Sequence, residues 1–182
     1  MPTYAAFLRS INIADRRVKM DALSEAFAAA GFADVVTFQA TGNVLFSAPR
    51  AARGHLERHL ETTLGDALGF EVPTYVRTAG ELRAVAAHQP FPAGEVAASA
   101  GRLQVFFLRD PLTDAQREQV MSHETRSDRL AVHGRELYWL PRGNLSDSRL
   151  KVTALAKITG PKTLRTKGAV DRFAAKLSAD RS

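Results

Sequence analysis

Val36-Thr37-Phe38, then Gln39-Ala40-Thr41-Gly42-Asn43, then Val44-Leu45-Phe46 is the stretch that decides the fold. Two runs that suit pleated strands flank turn chemistry, with Thr41-Gly42-Asn43 tolerant of positive φ, so a sheet hairpin is expected. Outward from it, Thr3 to Arg9 predicts a first strand. Tyr4, Ala6 and Leu8 lie on one side and Ala5 and Phe7 on the other, a pattern apolar on both faces that suits burial between layers. Met20, Leu23, Phe27 and Ala30 recur at helical spacing and stop at Gly31, a C-terminal cap. After the hairpin, Leu56, Leu60, Leu64 and Leu68 form an i, i+4 stripe ended by Gly69, and Val72 to Arg77 predicts a fourth strand. The order β-α-β-β-α-β is that of the ferredoxin-like split unit.

The same succession starts again further on. A helix with Leu82 and Val85 facing inward leads to a loop rich in turn formers, Pro90, Pro92, Gly94, Ser99 and Gly101. Arg102 to Arg109 predicts a buried strand, Asp114 to Met121 a helix, and Leu130-Ala131-Val132, His133-Gly134-Arg135, Leu137-Tyr138-Trp139 a second hairpin. Ser146 or Ser148 is placed to cap a helix bearing Leu150, Ala154, Leu155 and Ile158, ended by Gly160-Pro161. A last helix uses Val170, Phe173, Ala174 and Leu177. The expected fold is α+β: two related ferredoxin-like (β-α-β-β-α) halves packed into one compact unit, with C-terminal helices. The halves are drawn at residues 1–78 and 102–182, with a helix and connecting loop at 79–101.

At 182 residues, with 45% hydrophobic and 24% charged residues, the chain has the composition of an ordinary globular protein. A chain of that size buries roughly 70% of its unfolded surface without a staple. Zero cysteines exclude disulfides, thiolate metal sites and cysteine nucleophiles. The N-terminal apolar run is too short for a signal peptide, and no stretch approaches the roughly 20 apolar residues that span a bilayer. A cytoplasmic location is the expectation, with no membrane partner. The charge is unevenly placed. Residues 1–140 carry 15 Lys and Arg against 16 Asp and Glu, a balance of −1, whereas residues 141–182 carry 10 against 3, or +7. This is a local anion-facing signal.

The chain carries no Gly-x-Ser-x-Gly elbow, phosphate-binding Gly-rich loop or dinucleotide fingerprint, and no cofactor is expected. His55 and His59 have a chelating spacing on the second helix. Leu56 stands where a metalloprotease helix has glutamate, and Glu57, Arg58 and Glu61 suggest an exposed charged face, so no metal is assigned. Two ligand-binding groups remain. Arg9, Asn12 and Lys19 lie in the loop after a buried strand, a common place for binding residues, and Gln39 and Asn43 belong to the hairpin. Strand direction predicts that hairpin at the opposite end of the sheet from the first loop. Ser148, Arg149 and Arg165 lie in the basic segment, where the turn at 143–148 and the following helix N-terminus offer amide donors to a phosphate.

Taken together, Phe7-Leu8-Arg9-Ser10-Ile11-Asn12, Val18-Lys19-Met20, Gln39 to Phe46, Val76-Arg77-Thr78, Glu81-Leu82 and Pro90-Phe91-Pro92 resemble a bacterial domain of unknown function family, that numbered 1697. Gly134 to Tyr138, Gly143, Ser148-Arg149-Leu150 and Thr163-Leu164-Arg165 extend the resemblance over essentially the whole chain. The resemblance implies an α+β fold of two related halves and no established activity. The family usually has Gly where Ser10 stands, often a Gly pair at Ala14 and Asp15, and Asn-Trp-Asn-Thr where this chain has Thr166-Lys167-Gly168-Ala169.

Three functional classes follow. The basic segment is expected to bind a polyanion or phosphorylated ligand, nucleic acid included. The alternatives are a small-ligand site or enzyme built on the Arg9-Asn12-Lys19 loop, and a self-associating module without catalysis. Substrate, reaction and oligomeric state are not legible in the residues.

Overall fold

Val36, Thr37 and Phe38 pair with Leu45, Val44 and Asn43, so the first hairpin forms where the strand-forming runs predict it. The structure is a computed structural model that describes residues 1–13, 16–38 and 42–179. The chain divides into two units: Met1–Ala84 together with the segment from Phe173 on, and Val85–Arg172.

The first unit runs β1 (Thr3–Leu8), α1 (Met20–Ala29), β2 (Ala33–Phe38), β3 (Asn43–Ser47), α2 (Arg53–Leu68), β4 (Thr74–Thr78). Its four strands form an antiparallel sheet in the order β2-β3-β1-β4. Tyr4, Ala6, Leu8, Val44, Phe46 and Val76 face a core shared with Leu23 and Phe27 of α1 and Leu56, Leu60 and Leu64 of α2. Burying each such Leu or Phe side chain contributes about 1.5–3 kcal/mol. The stop at Gly31 is a full helix-ending motif. Gly31 takes φ +86°, its N–H donates to Ala28, and the N–H of Phe32 reaches back to Phe27. The Phe27 and Phe32 rings then meet at 6.2 Å, the apolar contact that accompanies such a cap. On the other face of the sheet, Phe173 packs its ring against Phe7 and Phe38 at 5.6 and 5.5 Å.

Between the sheets in sequence come α3 (Ala79–Ala87) and α4 (Ala93–Ala98). The second sheet then uses β5 (Gln104–Leu108), α5 (Asp114–Met121), β6 (Asp128–His133), β7 (Glu136–Pro141), α6 (Val152–Thr159) and β8 (Lys162–Thr166), followed by α7 (Lys167–Ala179). Its order, β6-β7-β5-β8, repeats that of the first sheet strand for strand. The architecture is therefore α+β, with two four-stranded antiparallel sheets, each with helices, in two similar halves.

Three local expectations are corrected. The supposed loop after α3 contains α4, because Pro92 supplies the extended N-cap and Ala93, Ala97 and Ala98 are strong helix formers. The helix expected from Ser146 begins only at Val152. A single 3-10 turn at Leu145–Asp147 precedes it, and no side chain caps it. The second half also gains β8, unforeseen because Lys162-Thr163-Leu164-Arg165-Thr166 carries one apolar residue, although Lys162 and Thr163 are buried.

Strand edges leave unpaired backbone groups, and two edges here are closed by side chains. On β4 the outward amides of Thr74, Val76 and Thr78 donate to Glu61, Glu57 and Glu81 at 2.9, 3.0 and 2.8 Å. Glu57, expected on an exposed charged face, is thus 1% exposed, because its carboxylate replaces a missing neighbour strand. On β6 the Leu130 amide donates to Glu124, and the Arg117 guanidinium donates to the Val132 carbonyl. The β2 edge is irregular instead. Its register shifts between Ala33 and Val36, with Asp34 at φ +49°.

Candidate functional site

The crossover helix α1 returns the chain so that β2 runs parallel to β1, and this fixes where the hairpin loop lies. Phe7 pairs with Asn43, and the Leu8 amide donates to the Gly42 carbonyl at 2.8 Å. The hairpin therefore sits at the same sheet end as the loop after β1, which corrects the expectation of opposite ends. The Arg9 amide donates to Pro73 at 2.9 Å, bringing the α2–β4 connection to that end as well.

Within this loop the predicted residues differ in character. Arg9 and Lys19 are exposed. Asn12 serves the loop itself: its Oδ1 accepts the Val18 amide at 3.0 Å, and its own amide donates to Arg16. Ser10 and Asn12 both take left-handed backbone, φ +66° and +57°. Asn tolerates that region through its short polar side chain, and Ser does so less readily. The Arg16 guanidinium lies over the Phe70 ring at 4.9 Å. Asn43 is 1% exposed within β3, and Gln39 lies outside the described residues. The structure thus gathers Arg9, Asn12 and Asn43 at one end of the first sheet, with Arg9 offering an exposed charge.

In the second unit two of the predicted residues, Ser148 and Arg149, adjoin a group that sequence reasoning missed. Asp128 opens β6 and is fully buried. Its Oδ1 accepts the Trp139 indole N–H at 2.9 Å and the Ser148 hydroxyl at 2.6 Å. Its Oδ2 accepts Thr125 and Ser127 hydroxyls at 2.7 and 2.9 Å and the Arg149 amide at 3.2 Å. Burial works to raise this carboxyl, but hydrogen bonds from Ser148, Thr125, Trp139 and Ser127 outweigh it and hold the group below its ordinary value. The Ser148 hydroxyl is thereby spent on structure, accepting the Leu150 amide as well. Arg149 has its backbone anchored by Asp128 and is itself exposed. The Arg165 guanidinium donates to the Thr163 hydroxyl and the Leu164 carbonyl. Desolvation pushes it down to about 10, so it stays charged at neutral pH. The signal for Asp128 was the run Thr125-Arg126-Ser127-Asp128, hydroxyls crowded beside an acid.

A second titratable group lies at the end of α3. The His88 ring stacks on His133 at 4.2 Å and meets Tyr138 at 5.2 Å. Burial, then the neighbouring His133 and Lys167, lower the His88 imidazole, while Glu136 opposes them. Lys167 itself donates to the Ala86 carbonyl and to Asp171, both at 2.6 Å. In the first unit, His59 donates from Nε2 to the Ala30 carbonyl at 2.8 Å, tying α2 to α1. Among the described residues, no group of three or more His, Asp or Glu side chains is arranged to hold a metal ion. No described helix is long and apolar enough to cross a membrane. A cavity of about 410 Å³ beside β2 is lined by Asp34, Val35, Val36, Leu45 and Leu177, none of them a predicted ligand residue.

The family described as Protein of unknown function (DUF1697) matches residues 1–138. Among solved structures, a conserved bacterial protein from Streptococcus pneumoniae is similar, with a TM-score of 0.74 at 21% identity over 98% of this chain and 99% of that one. At that identity the likeness speaks for the fold alone. No curated protein matches.

Proposed function

The chain belongs to this family of unknown function, DUF1697, and from that premise we propose that its basic C-terminal segment binds a phosphorylated ligand or polyanion, weakly and mostly without sequence specificity. The observation that carries the reading is the charge partition, +7 in residues 141–182 against −1 in residues 1–140. Arg142, Arg149, Lys151 and Lys157 are all exposed within the second unit, so their charge is open to solvent. Asp128 supports the reading indirectly, since it fixes the Arg149 backbone and gives a guanidinium a rigid base. Arg165 adds charge, its guanidinium already bonded to Thr163 and Leu164. The like strand orders support a duplicated ferredoxin-like unit, and the lack of cysteine suits a reducing cytoplasm.

The test is a titration of labelled single- and double-stranded oligonucleotides from low to physiological ionic strength. Each phosphate contact is expected to add about 0.9 to the magnitude of the log affinity against log salt slope. Absence of binding at low salt sinks the nucleic-acid form of the proposal. Unchanged binding in an Arg149→Ala, Arg165→Ala double variant moves the site elsewhere.

One observation favours a second reading. Because the first hairpin and the Arg9-Asn12-Lys19 loop share a sheet end, a small carboxylate or phosphate has Arg9 and Lys19 as exposed cations beside it. An Arg9→Ala variant that loses phosphate-induced thermal stabilisation would support that site. Self-association is the weakest of the three classes at β4 and β6, whose outward groups are already bonded within the chain.

A further inference from the structure

The two halves act as controls for one another, because equal strand orders let their rows of side chains be matched. The Leu8 amide donates to Gly42 and the Leu108 amide to Arg135. That sets Ala5, Leu45 and Val36 against Val105, Tyr138 and Ala131. One row further on the same face, Thr3 and Ser47 stand where the second half has Leu103 and Leu140. Leu103, Tyr138 and Leu140 are all buried, so the second half places three bulkier side chains where the first has Thr3, Leu45 and Ser47. The cavity of about 410 Å³ lies at these rows, walled by Val35, Val36, Leu45 and Leu177, with Thr3, Ser47 and Asp34 as its polar groups.

The backbone differs at the same place. Ser47 and Leu45 are two residues apart on β3, yet their partners Ala33 and Val36 are three apart, so β2 holds one extra residue. In the second half Leu140 and Tyr138 pair with Arg129 and Ala131, which stay in step. The extra residue comes with Asp34 at φ +49°, a conformation uncommon outside glycine, and bulges of this kind re-aim a side chain. Among the described residues no group pairs with the Asp34 carboxylate. Ser47 is 5% exposed, and its hydroxyl has no hydrogen-bond partner among the described residues. A buried hydroxyl in that state is costly unless something in the cavity bonds it.

We propose that this cavity binds a small amine, its apolar body against Val36, Leu45 and Leu177 and its ammonium group held by Asp34. The volume lies within the range of about 300–1,000 Å³ typical of ligand pockets, and a few polar groups on an apolar wall are their usual lining. The described lining holds one carboxylate and no cation, which selects an ammonium over a carboxylate or phosphate. Ser47 offers the bound molecule a further hydrogen bond. This inference goes beyond the anion-binding reading, since it concerns the first unit and a ligand of opposite charge.

The experiment titrates the full chain, isotope-labelled at its methyl groups, with phenethylamine and follows it by NMR. Phenethyl alcohol and phenylpropionate, similar in body but neutral and anionic, are the charge controls. The amine is expected to bind with a dissociation constant on the order of 1 mM and to shift the methyls of Val36, Leu45 and Leu177. The alcohol is expected to bind more weakly and the propionate not at all. Ser47→Leu, which copies Leu140 of the second half, fills the cavity and is expected to abolish the shifts. Should that variant fold poorly, Asp34→Asn decides, because asparagine accepts left-handed backbone. It is expected to weaken the amine about three-fold, the worth of a solvent-screened ion pair, and to leave the alcohol unchanged. Absence of methyl shifts overturns the proposal and leaves the cavity to water alone. Equal binding of the propionate, shifts that persist in a folded Ser47→Leu, or unchanged amine affinity in Asp34→Asn each overturns it as well.

Discussion

Asp128 collects its donors from three segments of chain: Thr125 and Ser127 before it, Trp139 on β7, and Ser148 and Arg149 after the 3-10 turn. Removing the carboxylate strands buried donors, so Asp128→Ala is expected to lower the unfolding free energy by about 3 kcal/mol in urea titrations at neutral pH. The folded-state carboxyl sits below its ordinary value. Its contribution is therefore complete above the unfolded value, about 4, and is lost as pH falls through the lowered one. The gap between wild type and Asp128→Ala should accordingly shrink in titrations carried down to acid pH. Ser10 makes an opposite case. It takes φ +66° without being glycine, at the position where the related family usually has glycine. Relief of left-handed strain, set against the greater freedom of the unfolded chain, predicts that Ser10→Gly is stabilising by up to about 1 kcal/mol. A rise in the urea midpoint checks this.

At the scale of elements, α2 both packs and seals. Its leucines face the core while Glu57 and Glu61, one turn apart, accept the amides of β4. Glu57→Ala should cost about 1–3 kcal/mol and speed exchange of the Val76 amide, whereas Glu57→Gln, which keeps an acceptor, should lose less. His88 joins the end of α3 to the second hairpin through its stack on His133. Its imidazole lies below the ordinary 6.5, so the neutral ring stabilises the fold above that pH, and the contribution fades as pH falls below it. A His88→Phe variant should show a flatter stability profile between neutral and mildly acid pH.

These elements also show what a one-dimensional reading can reach. The helix stripes and the stops at Gly31 and Gly69 were legible because they depend on neighbours within a turn. β8 was not, since its burial comes from pairing with β5, far back in the chain, and its own residues are mostly polar. Glu57 was misread for the same reason, its partner Val76 lying 19 residues away. At the proposed sites, the exposure of Arg9, Lys19 and Arg149 was legible from charge and loop position. Asp128 escaped, because a carboxylate's donors are assembled only by the fold.

On the scale of the whole molecule, the first unit is made from both ends of the chain, closing with Phe173 on Phe7 and Phe38. Phe173 is fully buried, and Phe173→Ala is expected to cost about 3–5 kcal/mol in urea unfolding, a loss shared by any truncation after Arg172. The arrangement also imposes a timetable on biosynthesis. A ribosome that has delivered Ala84 must still make all of Val85–Arg172 before Phe173 emerges. At roughly 5–20 residues per second that is a delay on the order of ten seconds. For that interval Phe7 and Phe38 wait on the nascent chain without their closing ring, so the first sheet to be translated is the last to be finished.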